Sequence, residues 1–438
     1  MSLHIVVIGA GIVGAASALE LMREGHRVTI LEPGEPGHEQ AASYGNGAWI
    51  SPASVVPMSM PGLWRKVPGY LLDPLGPLTI RVSEFPRLLP WLMRFIHAGA
   101  TVAKVEATAR ALSALLRDSP ARHSKLAEEA GVPSFIKQNG LLYVYPDRSA
   151  FEAEALAWKL RRDNGVIWCE LNAEQLRAKE PSLSDRYRFG ALVEAGAHCV
   201  DPGRYVAALV DHAQSLGAKV IKARAIGFDL RAGRLQAVHT DMGEIPCDRA
   251  VVAAGIQSKL LALQAGDRVS LESERGYHVV ISNPEAAPCI PVMPSDGKMA
   301  NTLTLKGLRA SGQVELASVS APPDWRRATI LLDHALRTYP QLPRKIPEER
   351  ISRWMGHRPS TPDGLPVIGA ARASADIVYA FGHGHVGLAT GPATASLVAG
   401  ILAGRPSFCS LSAYAPSRFR GWMWGRASIP HEQSTSHA

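Results

Sequence analysis

The 438-residue sequence predicts an α/β fold in which one parallel sheet is assembled from separate segments and a second domain is mostly antiparallel β. Three observations support this prediction. An apolar strand, a glycine-rich turn, a helix and a second strand follow one another over residues 4–32. A similar apolar strand, VVAAG at residues 251–255, returns far downstream, as a later strand of the same parallel sheet would. Segments of alternating apolar and polar residues follow it, such as GYHVVIS and QVELASVS.

The opening turn has the spacing of a dinucleotide site in a Rossmann-like βαβ unit. Gly9 permits the tight turn, Gly11 lets a pyrophosphate approach the backbone, and Gly14 brings the helix close to the strand. The N-terminus of that helix offers free N–H groups and a positive dipole end to phosphates. Glu32, at the end of the second strand, suits the hydroxyls of a ribose. An acid here disfavours NADP but does not separate NAD from FAD, and a glycine-rich turn without a ligand is the alternative.

The order of the remaining segments predicts a discontinuous cofactor-binding domain. Residues 101–131 and 151–164 have helical periodicity, and four strands follow between residues 218 and 255, two of them a hairpin about residues 231–233. We assign residues 1–100, 165–268 and 354–438 to the cofactor-binding domain. Residues 101–164 and 269–353 are assigned to the substrate-binding domain.

Composition excludes several classes of protein. The 46% hydrophobic and 20% charged residues are typical of a globular chain, and the net charge of +8 is spread out, which argues against nucleic acid. Five scattered cysteines indicate a reducing compartment and argue against zinc or iron–sulfur sites. We expect no signal peptide and no transmembrane helix, since the best apolar stretch, residues 386–402, is interrupted by glycine, proline and threonine. Residues 61–78 and the Arg/Trp-rich residues 418–426 are candidate membrane contacts.

Several separated blocks, in the same order along the chain, carry a family resemblance. They are the glycine turn, the loop at residues 42–47, DRAVVAAGIQS, GHRPSTPDGLPVIG and GHGHVG. With these blocks the chain resembles the glycine oxidase and D-amino-acid oxidase superfamily of FAD-dependent amine oxidoreductases. It looks most like the bacterial D-amino-acid dehydrogenases of the small-subunit type. The resemblance covers nearly the whole chain and implies a non-covalently bound FAD.

The resemblance also implies which residues contact FAD. Gly9, Gly11 and Gly14 would hold the pyrophosphate and Glu32 the ribose. The loop at 43–47 would lie against the flavin ring, and Ile226 would contact the adenine through its backbone. The helix after Gly387 would direct its positive end at the flavin, where negative charge develops on reduction. The full set is Gly9, Gly11, Ile12, Val13, Gly14, Glu32, Ser43, Asn46, Gly47, Ile226, Ala254, Gly255, Gly382, His383, Gly384, Gly387 and Leu388.

Three residues are implied for the substrate. Arg358 matches the family arginine that binds the substrate carboxylate. A guanidinium suits this role because it is always charged and can bond to both carboxylate oxygens. Tyr277 falls in the strand that shapes the substrate roof, with a hydroxyl within reach of the same carboxylate; the alternative is a packed strand aromatic. His385 stands where glycine oxidase-like members have an arginine, so a second cation is lost or becomes pH-dependent. No metal is expected at His383 and His385.

The reaction implied by the resemblance is oxidative deamination of a D-amino acid, or oxidation of a cyclic imino acid such as D-proline or 4-hydroxy-D-proline. A hydride passes from Cα to flavin N5. Because this transfer depends mainly on the position of Cα relative to the flavin, no acid or base residue is assigned. We expect a quinone or other respiratory acceptor and a cytoplasmic enzyme, peripheral on the inner face of the cell membrane. The oligomeric state is open.

Several alternatives remain at this point. One is an oxidase of the glycine or sarcosine oxidase type that uses O₂, and another is a flavoprotein subunit of a larger complex. Less favoured are a nucleic-acid-bound flavoprotein and an NAD-dependent dehydrogenase.

Overall fold

The computed structural model describes residues 2–65 and 78–420. Its helices, in chain order, are α1 (Ile12–Arg23), α2 (Phe85–Ala98), α3 (Val102–Leu116), α4 (Ser119–Glu129), α5 (Arg148–Glu152), α6 (Ala155–Asp163), α7 (Ala173–Lys179), α8 (Pro202–Ser215), α9 (Ser258–Gln264), α10 (Arg326–Thr338) and α11 (Gly387–Leu402). Its strands are β1 (His4–Ile8), β2 (Arg27–Leu31), β3 (Trp49–Ile50), β4 (Leu78–Ile80), β5 (Ile136–Lys137), β6 (Leu141–Tyr145), β7 (Cys169–Leu171), β8 (Phe189–Val193), β9 (Ala197–Cys199), β10 (Lys219–Ile221), β11 (Ala225–Arg231), β12 (Arg234–Thr240), β13 (Gly243–Pro246), β14 (Arg249–Val252), β15 (Glu272–Ile281), β16 (Val292–Pro294), β17 (Ala300–Thr304), β18 (Gly307–Leu316), β19 (Ile351–Ser360), β20 (Val367–Ala370) and β21 (Ile377–Phe381).

One sheet has the order β10-β2-β1-β14-β21-β20 within the described residues. All its neighbours pair in parallel except β20, which is antiparallel to β21. The strand β1 is apolar and buried from Ile5 to Ile8 because both faces of the sheet are covered. Ile5 and Val7 pack under α1, α8 and α11, whereas Val6 and Ile8 pack towards β12 and α9. The returning strand β14 lies directly beside β1, which confirms the parallel sheet predicted from VVAAG.

A second, larger sheet is mostly antiparallel. Its order is β19-β15-β18-β17-β16-β6-β8-β7, and β4 pairs in parallel with β18 at the side of this path. The helix α10 packs on β15 and β18, where Leu331 and Ala335 contact the cluster around Val279. The predicted fold class, a Rossmann-like domain with a mostly antiparallel β domain, is therefore confirmed.

The predicted hairpin is present as β11 and β12, which pair antiparallel about Arg231 and Arg234. The sequence analysis missed the short strand β13, which pairs with β12 and makes a third strand beside the hairpin. Its residues, GEIP, carry too few apolar side chains to indicate a strand.

Several segments argue for other domain boundaries than those predicted. The strands β4, β7 and β8 lie in segments assigned to the cofactor-binding domain, yet they belong to the larger sheet. The helices α3 and α4, assigned to the substrate-binding domain, pack instead on α11 and α1. Periodicity identifies a helix or strand but not the sheet or helix on which it packs. The division of the chain into two domains stays a prediction.

One helical stretch in the described part of the chain, Gly384–Leu402, is long and apolar enough to cross a membrane. It is α11 with the turn before it, and 67% of its most apolar window is buried against the rest of the protein. A core helix has this composition for the same reason that a membrane helix has it, since both are apolar all round.

Candidate active site

The glycine turn at the carboxyl end of β1 is as tight as the sequence predicts. Gly9 has a φ of +103°, and a Cβ there would lie 2.6 Å from the carbonyl oxygen of Ala253. A Cβ at Gly14 would lie 1.8 Å from the carbonyl oxygen of Gly9, so only glycine lets α1 start this close to the strand. The turn thus directs the N-terminus of α1, at Ile12, into the space beyond the sheet.

The carboxylate of Glu32 lies beside this turn and is buried. Its Oε2 accepts a hydrogen bond of 2.9 Å from the N–H of Ala10, and its Oε1 accepts one of 3.2 Å from the N–H of Gly34. Each oxygen keeps a further lone pair for a hydroxyl donor. The position and remaining acceptor capacity fit the ribose role predicted for it.

A cavity of about 320 Å³ extends from Glu32 past the N-terminus of α1 to the start of α11. Most of the predicted cofactor residues line it, from three regions of the chain. These are Gly9, Gly11, Ile12, Val13, Glu32, Ser43, Asn46, Ala254, Gly255, Gly382, His383, Gly384, Gly387 and Leu388. We call this the cofactor cavity.

Three predicted cofactor residues do not line the cofactor cavity. Gly14 acts through the close helix–strand approach described above, and Gly47 lines a neighbouring cavity. The side chain of Ile226 is 55% exposed, and the wall near it is formed by residues 223–225. The alternating pattern of a strand does not indicate which of its neighbouring residues borders a cavity.

Ser43 also lies elsewhere than the sequence analysis expected. Its Oγ accepts a hydrogen bond of 3.1 Å from the N–H of Ile12, at the N-terminus of α1. This contact puts its hydroxyl at the helix end that would face phosphates. Asn46, in the same loop, lies further along, where the cofactor cavity meets the neighbouring one.

The start of α11 is held by buried imidazoles. The Nε2–H of His123 donates a 2.8 Å hydrogen bond to the carbonyl of Leu388, and its Nδ1 lies 3.0 Å from the Tyr205 hydroxyl. Burial lowers the pKa of His123 to about 4, so the ring is neutral at pH 7. His123 is a lone histidine in a helix, and no sequence motif identifies it as part of this site. Similarly, the Nε2 of His383 lies 3.0 Å from the hydroxyl of Thr394.

No group of three His, Cys, Asp or Glu side chains suited to a metal ion occurs in residues 2–65 and 78–420.

A second cavity, of about 280 Å³, adjoins the first. Ala42, Asn46 and Gly384 line both, so the two spaces meet beside the loop before α11. Much of the wall of this second cavity is formed by apolar or small side chains. The larger apolar side chains in it are Trp49, Met58, Met293, Val314, Trp354 and Val386. We call it the substrate cavity.

Arg358 projects into the substrate cavity from β19, and its side chain is 21% exposed. Its Nη1 donates to Oε1 of Glu274 at 3.1 Å and to the carbonyl of Gln313 at 3.0 Å. The guanidinium crosses Gly276 on the adjacent strand β15, where a Cβ would lie 2.3 Å from Cζ. The predicted arginine is therefore in a cavity that opens towards the cofactor site.

Glu274 is the residue of this cavity that the sequence analysis missed. It is 4% exposed and pairs directly with Arg358 in the β15–β19 register. Its Oε2 accepts a 2.9 Å hydrogen bond from the hydroxyl of Ser360. Only the strand pairing identifies it, because an acid in a strand otherwise indicates a solvent-facing position.

Tyr277 does not reach the substrate cavity. Successive side chains of a strand point to opposite faces, so Glu274 and Gly276 face the cavity whereas Tyr277 faces α10. Its hydroxyl donates to Oε2 of Glu315 at 2.5 Å and accepts from the N–H of Asp324 at 3.0 Å. Burial, with Glu315 as a further cause, raises the pKa of Tyr277 to about 12. The structure supports the packed strand aromatic and argues against the predicted carboxylate contact.

His385 lines the substrate cavity close to Glu274 and Arg358. Its side chain is accessible from the cavity, although protein surrounds that space. This enclosure lowers the pKa of His385; Glu274 opposes the shift and Arg358 adds to it. A lowered pKa favours the neutral ring at pH 7, so His385 does not replace the charge of the family arginine.

Comparison with known proteins agrees with this geometry. The family described as FAD dependent oxidoreductase matches residues 4–401. A protein of Bradyrhizobium diazoefficiens named D-amino-acid oxidase is 56% identical over 416 residues, covering 95% of this chain and 99% of its own. A D-amino acid dehydrogenase of Paramagnetospirillum magneticum is 29% identical over 96% of this chain and 100% of its own. The crystal structure of glycine oxidase from Geobacillus kaustophilus has the same fold, with a TM-score of 0.70, 19% identity and coverage of 96% and 100% of the two chains.

The cofactor cavity fits FAD on its own residues. Two helix N-termini, those of α1 and α11, border one elongated space and offer N–H groups and positive dipole ends. A buried carboxylate with free acceptor capacity lies at one end, and a cavity of substrate size adjoins the other. Because the family matches almost the whole chain, this protein belongs to the FAD-dependent oxidoreductase family and is an enzyme that uses FAD.

Proposed function

We propose that this enzyme oxidises the Cα–N bond of a D-amino acid, or of a cyclic imino acid such as D-proline, with FAD as the electron acceptor. The observation that carries the proposal is Arg358 in a cavity that meets the cofactor cavity at Asn46 and Gly384. The names of the relatives, D-amino-acid oxidase and D-amino acid dehydrogenase, supply the substrate class.

FAD would be held along the cofactor cavity by groups already in position. The N–H groups at the start of α1 and the hydroxyl of Ser43 would bind the pyrophosphate, and Glu32 would bind the ribose hydroxyls. The start of α11, at Gly387 and Leu388, would face the flavin end. We propose that FAD is bound non-covalently; among the described residues, no cysteine lines the cofactor cavity.

The substrate carboxylate would be bound by Arg358. A guanidinium presents parallel N–H donors that match both carboxylate oxygens and keeps its charge at every physiological pH. When bound, FAD supplies the hydride acceptor for the Cα–H bond. The protein contributes placement of Cα and exclusion of water, and we assign no acid or base residue.

Two acceptors are proposed for the electrons of the reduced FAD. Resemblance to dehydrogenases favours a quinone, reached from the cytoplasmic face of a membrane. Exposed apolar side chains near the candidate membrane contact support this: Leu89 and Met93 on α2 are 43% and 51% exposed, and Trp64 is 59% exposed. The relative that is 56% identical is named an oxidase, which favours O₂ as the second candidate.

Both predicted membrane segments extend outside the described residues, at 66–77 and 421–426. The described start of the C-terminal segment is used within the protein. Arg418 pairs with Asp363 at 2.8 Å, and Arg420 pairs with Asp267 at 2.8 Å. These two arginines therefore do not support the membrane contact, and residues 421–426 of the same segment lie outside the described residues.

Anaerobic reduction tests the substrate. The purified enzyme is mixed without oxygen with D- and L-enantiomers of a panel of amino acids and prolines, and bleaching of the visible flavin spectrum is recorded. Reduction by D-enantiomers is the expected result, and no reduction by any member contradicts the proposal. Reoxidation by O₂ is then compared with reoxidation by a ubiquinone analogue. Peroxide formed at the turnover rate selects the oxidase and rejects the quinone.

A further inference from the structure

The substrate cavity contains a buried ion pair rather than an isolated cation. Glu274 and Arg358 are 3.1 Å apart, with side chains 5% and 21% exposed. Apart from the pair, the charged side chain lining this cavity among the described residues is Lys298, which is 70% exposed and lies 3.3 Å from Glu154. The enclosed part of the cavity therefore carries one positive and one negative charge.

This arrangement is unfavourable for a simple anion. A carboxylate that approaches Arg358 also approaches the carboxylate of Glu274, and repulsion between like charges in an enclosed space offsets much of the attraction. The pKa of His385 is lowered by desolvation, which disfavours a second positive charge here. A site for plain carboxylates would need no acid here.

The same arrangement is favourable for a zwitterion, which places a positive group beside its own carboxylate. Oε1 of Glu274 bonds to Arg358 and Oε2 to the hydroxyl of Ser360. Each oxygen has two lone pairs, so both retain capacity for an N–H donor. A hydrogen bond between a charged donor and a charged acceptor is about twice as strong as a neutral one.

We propose that Glu274 binds the ammonium group of the substrate while Arg358 binds its carboxylate, so that the pair selects zwitterionic amino acids over anions of the same shape. This proposal deepens the proposed function and rests on its assignment of Arg358. Glu274 is a specificity residue in this scheme, and also holds Arg358 over Gly276.

Two ligands of nearly identical shape separate charge from size. 2-Aminoisobutyrate and pivalate differ in one group, ammonium against methyl, and neither has a Cα–H bond that can be oxidised. Binding to the FAD-loaded enzyme is measured from the perturbed flavin spectrum and from tryptophan fluorescence, since Trp49 and Trp354 line the cavity. We expect the wild type to bind 2-aminoisobutyrate at least about 10-fold more tightly than pivalate. Absence of any preference overturns the proposal.

Glu274→Gln tests the residue itself. We expect weaker binding of 2-aminoisobutyrate, by about 10-fold or more, together with tighter binding of pivalate, because the repelling charge is gone. A role limited to positioning Arg358 would weaken both ligands alike, and equal factors for the two would reject the proposal. Glu274→Asp keeps the charge and should keep the preference, which covers the case in which the glutamine variant does not fold.

Glu272→Gln is the matched control. Glu272 lies on the same strand and pairs with Lys259 at 2.6 Å and Arg87 at 2.6 Å, outside the substrate cavity. Its substitution should leave both dissociation constants unchanged. Flavin reduction by D-amino acids without any preference for 2-aminoisobutyrate rejects only the role of Glu274. A preference without reduction by any amino acid rejects only the proposed function.

Discussion

Gly276 lies directly against the guanidinium of Arg358, with space for a hydrogen atom but not for a methyl group, since a Cβ at this position would be 2.3 Å from Cζ. The absence of a side chain on β15 thus sets where the cation of β19 lies. Gly276→Ala should displace the guanidinium and raise KM for the amino acid by roughly 10- to 100-fold, with FAD still bound. Steady-state kinetics and the flavin spectrum measure the two effects. Gly400→Ala, on α11 with no atom within 4 Å of the added Cβ, is the control that should change neither.

Arg358→Ala should remove the carboxylate contact and leave the buried Glu274 without its partner. We expect KM to rise by about 100-fold or more while FAD remains bound, because charged hydrogen bonds are lost and a repelling carboxylate remains. Arg358→Lys, which keeps the charge but not the fork, should be intermediate. Arg353→Ala on the same strand, whose side chain pairs with Glu348, should keep normal kinetics. Unchanged affinity in Arg358→Ala would contradict the substrate assignment.

Tyr277→Phe separates stability from substrate binding. The lost hydroxyl bonds to Glu315, whose side chain is 2% exposed, and to the backbone of Asp324. We expect a decrease of about 1–3 kcal/mol in the free energy of unfolding, since a buried acceptor loses its donor. KM should stay within about twofold, because the hydroxyl lies on the face of β15 away from the cavity. Urea unfolding measures the stability and initial rates measure KM. A large rise in KM without a loss of stability would support the contact between Tyr277 and the substrate carboxylate.

Mild acid should destabilise the protein in part through His123. Its pKa is about 4 in the folded protein, whereas the ordinary value of 6.5 applies in the unfolded chain. Below pH 6.5 the unfolded chain therefore binds one more proton than the folded protein. Stability should therefore fall as the pH decreases from 6.5 to about 4, most steeply near pH 5, where this group contributes about 1 kcal/mol per pH unit. His123→Gln should reduce the slope of stability against pH by close to one proton near pH 5 and by less near pH 7, measured by urea unfolding between pH 7.5 and pH 5. An unchanged slope would contradict the assignment.

The cofactor site was predictable from sequence to a large extent because its parts are local. Gly9, Gly11 and Gly14 lie close together in the chain; Gly9 has a positive φ, and a Cβ at Gly14 would lie 1.8 Å from the carbonyl oxygen of Gly9. Glu32 follows from the length of one βαβ unit. Ser43 was less well placed, because its position depends on how its loop meets the N-terminus of α1. The backbone contact of Ile226 with the adenine stays a prediction.

The substrate site was predictable at Arg358 and His385, where family resemblance identified the positions and both residues line the substrate cavity. The alternation of side chains along β15 decides which of its residues face Arg358. Which set faces it depends on the register of β15 against β19. That register puts Glu274 in the cavity and Tyr277 outside it, the reverse of the expectation for the tyrosine.

The sequence by itself determined the βαβ unit, the dinucleotide-binding turn and the parallel return strand, and family resemblance predicted Arg358 as the arginine for a carboxylate. These features rest on local periodicity, local steric limits of glycine and recognisable blocks of residues. Only the tertiary structure decided the membership of β4, β7 and β8 in the larger sheet, the neutral ring of His123 behind α11 and the pairing of Glu274 with Arg358. Each of these depends on contacts between residues far apart in the chain, where burial and strand pairing, rather than residue type, set the neighbours and the charge of a side chain.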